Sequence, residues 1–201
     1  MRPHCSGQQE IPRRCRRAGL QRRRTGHRGL RLNILGAILA GGQSRRFGSD
    51  KAHARYNGFR LIDLVYDHLS VQCDAIVVCG REEEGFECVS DLPEAGLGPL
   101  GGLNAALSHA AANGFTHVLS AGCDVPNLPP DLADTLSGES AAIVQSQPVI
   151  GLWPVAVGGS LAEFLEDGGR SLYGFAERIE ARQIAFDPPL LNVNSPDDLP
   201  D

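Results

Sequence analysis

A glycine-rich loop with several cationic side chains is the part of this sequence best suited to chemistry. The segment Leu35–Lys51 reads LGAILAGGQSRRFGSDK, an apolar run followed by a Gly-Gly pair and then by Arg45, Arg46 and Lys51. Glycines let backbone N–H groups approach phosphates closely, and Arg and Lys neutralise phosphate charge. Two commoner phosphate-binding patterns, GxxxxGK[ST] and GxGxxG, are absent from it. The segment therefore predicts either a nucleoside triphosphate site or a tight turn.

Two aspartates and two asparagines follow other apolar segments, at positions where a parallel α/β sheet binds its ligands. Asp124 comes directly after VLSAGC, and a carboxylate there can hold Mg²⁺, a hard cation that prefers oxygen ligands and bridges to substrate phosphates. Asp91 follows ECVS and precedes a glycine-rich stretch. Asn192 and Asn194 flank a valine, so on a strand both amides point to one face. Turn formation and local capping are the alternatives for these four residues.

Three smaller features add further candidates. Gly98, Gly101 and Gly102 surround a proline at the start of a predicted helix, where they would let an anion approach exposed N–H groups, although helix–strand packing could also require them. Lys51 is the single lysine of the chain, which favours a specific role over general surface use. Arg170 can meet a phosphate of a second substrate or simply face solvent.

The elements that must position these residues alternate between apolar strands and helices. This βαβ rhythm predicts a single domain over residues 32–201, an α/β protein with a three-layer α/β/α Rossmann-like architecture and a mostly parallel sheet. The predicted strands are Asn33–Ala40, Ala75–Cys79, Cys88–Ser90, Thr116–Ala121, Ala141–Gln145, Ile150–Val155 and Gln183–Phe186. The predicted helices are Leu61–Val71, Leu100–Ala112, Pro130–Leu136, Leu161–Asp167 and Leu172–Ile179.

The composition is that of a globular protein whose charge is unevenly distributed. Of 201 residues, 42% are hydrophobic and 21% charged, and no apolar run is long enough to span a membrane. The net charge is −5, whereas residues 1–31, with ten Arg and one Glu, carry +9, which leaves −14 for the remainder. An acidic domain argues against nucleic acid as the main ligand. The six cysteines lack CxxC spacing, which predicts free thiols and a cytoplasmic protein.

Residues 1–31 lack apolar periodicity and are predicted to be disordered. Three interpretations are open: an extension upstream of the true start codon, a flexible arm that binds polyanions, and a transit peptide, for which the segment has little Ser and no clear amphipathic helix. The lack of an apolar h-region argues against a secretory signal.

Four motifs, in order along the chain, resemble those of nucleotidyltransferases and, within them, of the molybdenum cofactor guanylyltransferases. LAGGQSRRFGSDK is similar to the family signature LAGGxSxRMGxDK, with Phe47 at the position where Met is usual. DLPEAGLGPLGGL, AGCDVPNLPPDL and LNVNSPDDL follow in the family's order. The resemblance extends from about Asn33 to the C-terminus, and four ordered motifs are far more specific than one.

The resemblance implies a nucleotidyltransferase fold and the Mg²⁺-dependent transfer of GMP from GTP to molybdenum–molybdopterin, with release of pyrophosphate. It also implies molybdoenzymes and other cofactor-assembly proteins as partners. The expected catalytic residues are Arg46, Lys51 and Asp124, of which Asp124 is the metal ligand. The expected nucleotide-binding residues are Leu39, Ala40, Gly41, Gly42, Lys51, Asp91 and Asp124. The expected second-substrate residues are Asn192, Asn194 and Arg170.

The chain departs from the family at Cys79-Gly80, where relatives often have an Asn that helps to bind the nucleotide. A thiol cannot replace the paired donor and acceptor of an amide, so base recognition there is either lost or taken over by backbone groups. Two alternative functions are open: a related cytidylyl- or sugar-phosphate nucleotidyltransferase, and a polyanion- or nucleic-acid-binding protein that uses the Arg-rich segment. The Gly41-Gly42 pair, the short chain and the LNVNSPDD motif favour the guanylyl function.

Overall fold

The computed structural model describes residues 32–41, 51–193 and 198. The chain divides into two units, residues 1–30 and residues 31–201, and all elements given below belong to the second. The predictions made for residues 1–31, and those made for Gly42, Arg46 and Asn194, fall outside the described residues. Within the described part, no helix combines the length and the apolar character that crossing a bilayer requires.

The described residues form nine strands, which arise where the sequence is apolar or β-branched. They are β1 Ile34–Leu39, β2 Arg55–Tyr56, β3 Phe59–Arg60, β4 Ala75–Cys79, β5 Cys88–Val89, β6 His117–Gly122, β7 Ala142–Val144, β8 Gln147–Pro154 and β9 Arg182–Ile184. Seven of them build one sheet in the order β5-β4-β1-β6-β8-β7-β9. All neighbours are parallel except β8, which is antiparallel to both β6 and β7. The mostly parallel sheet predicted from the sequence is confirmed.

Helices cover both faces of this sheet. They are α1 Leu61–Ser70, α2 Pro99–Ala112, α3 Leu132–Leu136, α4 Gly158–Glu166 and α5 Leu172–Arg178, with 3-10 turns at Lys51–His53 and Val155–Val157. Alternate residues of β1 point to opposite faces, so Ile34 and Ile38 join one core while Leu35 and Leu39 join the other. The first core also contains residues of α1 and α3, and the second contains residues of α2, α4 and α5. The predicted three-layer arrangement is therefore confirmed.

A short hairpin between β1 and α1 was not predicted. β2 and β3 pair antiparallel through Asn57 and Gly58, whose φ angles of 51° and 84° both lie in the left-handed region. An Asn-Gly pair is the usual choice for such a turn, because these residues tolerate positive φ best. The strands were missed because each is only two residues long and Arg55 and Arg60 give them no apolar alternation.

Candidate active site

The carboxyl ends of three neighbouring parallel strands form the edge where the predicted site residues collect. β1 lies between β4 and β6, and Leu39 is the register partner of both Cys79 and Gly122. Two residues beyond these partners come Gly41, Arg81 and Asp124. Because parallel strands present their carboxyl ends to the same edge, these residues meet where open α/β sheets bind ligands.

Two glycine backbones touch at this edge. A Cβ atom built on Gly80 would lie 2.6 Å from the Cα of Gly41 and 2.8 Å from Oδ1 of Asp91, and the φ of Gly80 is +82°. Any side chain at Gly80 would thus be both strained and in collision with backbone. The side chains of Leu39 and Ala40 are 8% exposed and belong to the cores. At the predicted nucleotide-binding residues Leu39, Ala40 and Gly41, the chain therefore offers a ligand backbone groups rather than side chains.

The Asp91 carboxylate lies in a cradle of four glycines. Its oxygen or carbon atoms are within 3.5 Å of the positions that Cβ atoms would take on Gly41, Gly80, Gly101 and Gly102. The Leu92 N–H donates to the carbonyl of Gly101 at 3.2 Å, which ties the loop after β5 to the first turn of α2. Larger residues at these positions would displace the carboxylate. The glycines therefore allow the close packing of this region and also make room for the Asp91 side chain.

The Asp91 carboxylate is poorly satisfied. Its Oδ1 is buried and has no hydrogen-bond partner within the described residues. Burial raises the pKa of Asp91, an effect that a backbone hydrogen bond from Gly96 partly offsets. A buried carboxylate oxygen without a donor costs free energy, so such a group in a cleft is a candidate ligand-binding group.

The N-terminus of α2 borders this cradle. The helix begins at Pro99, after Gly98 with a φ of 63°, and its N-cap has no side-chain hydrogen bond. Gly101 and Gly102 are buried in its first turn, and Gly102 packs within reach of both Leu39 and Asp91. These glycines are therefore needed for helix–strand packing, the alternative considered from the sequence, and they also shape the pocket around Asp91.

The segment near the C-terminus is brought to Asp124. The backbone N–H of Val193 donates to the carbonyl oxygen of Asp124 at 2.9 Å, and the carboxylate of Asp124 folds back against Gly122. Asn192 is half-buried, and its Oδ1 is buried with no hydrogen-bond partner among the described residues. The structure thus places Asn192 beside a predicted metal ligand with one acceptor unsatisfied.

Arg170 lies in the connection between α4 and α5. Because β8 runs antiparallel to β6, α4 starts at the opposite edge of the sheet and the connection returns to the edge that carries Asp124. The Tyr173 hydroxyl donates to the Gln145 carbonyl at 2.8 Å in the β7–β8 turn at this same edge. Nη1 of Arg170 donates to the carbonyls of Leu165 and Gly169 at 3.0 and 2.7 Å. Its contact with a second substrate stays a prediction.

Cys79 does not face the site. Its side chain is buried in the core that contains Leu39, next to Gly102, and burial raises its pKa to about 12. The thiol therefore stays protonated at neutral pH. What the chain presents at this point is Gly80, whose backbone touches Gly41.

The oxygen ligands at this edge of the sheet have the chemistry that Mg²⁺ prefers. In the described part of the chain, no cluster of three or more His, Cys, Asp or Glu side chains is arranged to hold a metal. Mg²⁺ usually binds through one or two carboxylates and completes its shell with waters and substrate phosphates. Asp124 and Asp91 supply hard oxygens at the same edge. Oδ2 of Asp91 lies 3.3 Å from the position that a Cβ atom would take on Gly41, and Asp124 comes two residues after Gly122, the register partner of Leu39. No cysteine or histidine is needed for such a site.

A family model described as the MobA-like NTP transferase domain matches residues 36–181. The chain belongs to this family. Among curated relatives, a molybdenum cofactor guanylyltransferase of Cereibacter sphaeroides is 36% identical over 182 residues, which cover 84% of this chain and 94% of the relative. Another, of Rhizobium leguminosarum, is 33% identical over 190 residues, which cover 84% and 91%.

Solved structures show the same fold. Molybdopterin-guanine dinucleotide biosynthesis protein A from Archaeoglobus fulgidus matches with a TM-score of 0.66 at 22% identity, covering 82% of this chain and 94% of that one. A 2-C-methyl-D-erythritol 4-phosphate cytidylyltransferase from Thermus thermophilus matches with a TM-score of 0.60 at 12% identity, covering 84% and 95%. The predicted fold and family are confirmed, and the MobA-like chain is a nucleotidyltransferase.

The contact between Gly41 and Gly80 predicts a large effect for Gly80→Ala. The change should cost about 1–2 kcal/mol for the left-handed backbone, as any L side chain would, and roughly 1–3 kcal/mol more for the collision with Gly41 and Asp91. We expect nucleoside triphosphate binding to weaken at least about tenfold, because the added methyl group must displace Gly41 and the Asp91 carboxylate from their positions. Denaturant unfolding and calorimetric titration measure the two effects.

Gly85→Ala is the matched control for this change. Gly85 has a φ of +87°, close to that of Gly80, but a Cβ atom there would meet no atom within 4 Å. It should therefore show the backbone cost alone and leave nucleotide affinity within about twofold. Equal losses of stability and affinity in the two variants would contradict the role assigned to the Gly41–Gly80 contact.

Proposed function

We propose that the protein transfers GMP from GTP to molybdenum–molybdopterin, forming the guanine dinucleotide cofactor and pyrophosphate. The observation that carries the proposal is the Asp91 carboxylate, which lies in the glycine cradle beside Gly41 and whose buried Oδ1 has no donor among the described residues. The relatives named molybdenum cofactor guanylyltransferase supply the identity of the substrates.

The triphosphate would be held by the loop that follows β1. The Ala40 N–H already donates to the Cys79 carbonyl at 3.1 Å, so the backbone N–H groups of Gly41 and Gly42 would approach the phosphates. Arg46 and Lys51 would neutralise the phosphate charge. Lys51 begins the 3-10 turn that closes this segment, directly before the buried Ala52. Asp91 would accept a hydrogen bond from the nucleotide, which would satisfy its Oδ1.

Asp124 would hold Mg²⁺, with the substrate phosphates and water completing the coordination shell. When bound, the metal ion would stabilise the negative charge that builds up on the transferred phosphate and on pyrophosphate. A carboxylate is suited to this role because Mg²⁺ is a hard cation that prefers oxygen ligands.

The second substrate would bind beside Asp124 and Asn192, which the hydrogen bond from the Val193 N–H to the Asp124 carbonyl brings close together. The unsatisfied Oδ1 of Asn192 supports this placement, because it offers an acceptor to the donors of a polar heterocycle. Asn194 and Arg170 would complete this subsite as predicted from the sequence.

The reaction needs alignment and charge neutralisation rather than a covalent enzyme intermediate. An oxygen of the terminal phosphate of molybdopterin attacks the α-phosphorus of GTP, and the bond from that phosphorus to the bridging oxygen breaks as pyrophosphate leaves. Holding the two phosphates in line supplies much of the rate by removing the entropy cost of their encounter. Arg46, Lys51 and a cation held by Asp124 would then stabilise the negative charge that develops on the transferred phosphate and on pyrophosphate.

Among the described residues, Cys79 and Cys88 are free thiols, which agrees with a reducing compartment. We therefore place the reaction in the cytoplasm.

Nucleotide choice tests the proposed function directly. With Mg²⁺ present, calorimetry should show GTP binding about 100-fold more tightly than CTP, ATP or UTP, because a site with buried polar groups rejects bases that leave them unpaired. Tighter binding of CTP than of GTP would place the protein with the cytidylyltransferases instead.

A further inference from the structure

One buried carboxylate, that of Glu83, has no role in the reaction proposed for this protein. The side chain of Glu83 is 4% exposed, and Glu83 lies in the connection between β4 and β5. His53 contacts both of its oxygens, at 3.0 and 2.9 Å, and Nη1 of Arg60 donates to Oε1 at 2.7 Å. Nη2 of Arg81 lies 3.3 Å from Oε2. A carboxylate is seldom buried this deeply unless it is paired, and here three side chains compensate it.

These partners come from three different parts of the fold. His53 ends the 3-10 turn Lys51–His53, Arg60 is the last residue of β3 and the N-cap of α1, and Arg81 follows β4 at the edge of the sheet. Arg60 is itself fixed by Asp63, to which its Nε and Nη2 donate at 2.8 and 2.7 Å. Hydrogen bonding to Asp63, with a further contribution from Glu83, raises the pKa of Arg60. Glu83 thus joins the 3-10 turn, the start of α1 and the segment that follows β4.

Two of the joined segments adjoin residues of the proposed nucleotide site. The 3-10 turn that His53 ends begins at Lys51, and its middle residue Ala52 is 2% exposed. A 3-10 turn has three residues per turn, so fixing His53 and burying Ala52 also fixes the backbone of Lys51. Arg81 follows Gly80, whose backbone contacts Gly41. One carboxylate therefore contacts both the turn that begins at Lys51 and the segment that follows β4.

We propose that Glu83 is a positioning residue that holds the 3-10 turn beginning at Lys51, and Arg81, in place at the proposed nucleotide site. In this way Glu83 sets the affinity for the triphosphate. The proposal rests on the proposed function insofar as Lys51 contacts phosphate. Glu83 does not itself touch the substrate. It acts by holding the backbone of Lys51 and the side chain of Arg81, so that triphosphate binding does not have to order them.

The test compares Glu83→Gln with Glu84→Gln. Glu84 is exposed and adjacent, so its substitution removes the same charge from the same connection without touching the cluster. We expect Glu83→Gln to weaken Mg²⁺-GTP binding about tenfold, as displaced binding groups do, and Glu84→Gln to change it less than about twofold. The Kd is measured by calorimetry well below the melting temperature of each variant, so that loss of stability does not enter the Kd.

His53→Ala keeps the proposal testable if Glu83→Gln does not fold. The His53 side chain is 45% exposed, so its removal should be tolerated, and we expect about three- to fivefold weaker GTP binding. In the double variant, the loss should be no greater than for Glu83→Gln alone, because both changes break the same link.

The outcomes separate a positioning role from a purely structural one. A lower melting temperature with a Kd within twofold of the wild type, in either single variant, would overturn the proposal. So would losses that multiply in the double variant. If the wild type binds CTP rather than GTP, the guanylyl assignment fails, and the same comparison made with CTP still tests Glu83.

Discussion

Asp124→Asn is expected to lower the turnover number for GMP transfer by at least about 100-fold, because the metal ion supplies several kcal/mol of transition-state stabilisation. Asn retains the size of the side chain and one oxygen, but it loses the charge that binds a hard cation. The fold should survive, since Val193 binds the backbone carbonyl of Asp124, which the substitution leaves in place. Turnover at saturating GTP and Mg²⁺, together with the melting temperature, measures the effect.

Asp134→Asn is the matched control for that substitution. Asp134 is exposed in the first turn of α3, so the same chemical change there should leave turnover within about twofold. If Asp124 only shapes a turn, Asn should replace it with little loss, because Asn is an equally good turn former. Near-normal turnover of Asp124→Asn with an unchanged melting temperature would therefore exclude the metal-ligand role.

Asp91→Asn is expected to separate function from stability. Hydrogen bonds to a charged group contribute about 1.5–3 kcal/mol, so GTP affinity should fall by roughly 10- to 100-fold when the carboxylate is lost. The melting temperature at pH 7 should rise, because the variant no longer buries a charged oxygen for which the described residues provide no donor. Calorimetry with Mg²⁺-GTP and thermal unfolding of the free protein measure the two changes.

The rise in melting temperature expected for Asp91→Asn should depend on pH, because the pKa of Asp91 is raised in the folded protein. A carboxyl whose pKa is higher in the folded than in the unfolded chain contributes stability below its ordinary pKa and loses it as the pH rises through the raised value. The advantage of Asp91→Asn should therefore be present at neutral pH and disappear below about pH 4. Glu94→Gln, an exposed position in the same loop, should show neither effect. A lower melting temperature for Asp91→Asn, or an unchanged GTP affinity, would count against the role of the cradle.

The fold was largely predictable because its elements have strong local patterns. β1, β4 and β6 are apolar runs buried on both faces, and α2 ends where Asn113-Gly114 stops an alanine-rich helix. The β2–β3 hairpin was missed, although its Asn57-Gly58 pair is a strong local signal for such a turn. The antiparallel direction of β8 was also not predicted, since apolar runs give no sign of strand direction.

The site was predictable only in part. Asp91, Asp124 and Asn192 could be found because each follows a strand or a recognisable motif, and strand ends mark the ligand edge. The contact of Gly80 with Gly41, the burial of the Asp91 carboxylate and the cluster around Glu83 could not. They depend on residues that are distant in sequence approaching one another, as His53 and Glu83 do, which are 30 residues apart and lie within hydrogen-bond distance. Neither composition nor periodicity encodes such an approach. Glu83 stood in the sequence as one of three consecutive glutamates, with nothing to distinguish it from its exposed neighbours.

The most direct test of the proposed function is the transfer reaction itself. The purified full-length protein is incubated with Mg²⁺, molybdenum–molybdopterin and either GTP or CTP, and the nucleotide attached to the pterin and the pyrophosphate released are quantified. We expect one pyrophosphate for each guanine dinucleotide formed and a kcat/KM for GTP about 100-fold above that for CTP. Equal or preferential formation of the cytosine dinucleotide, or hydrolysis of GTP without attachment of GMP to the pterin, would contradict it.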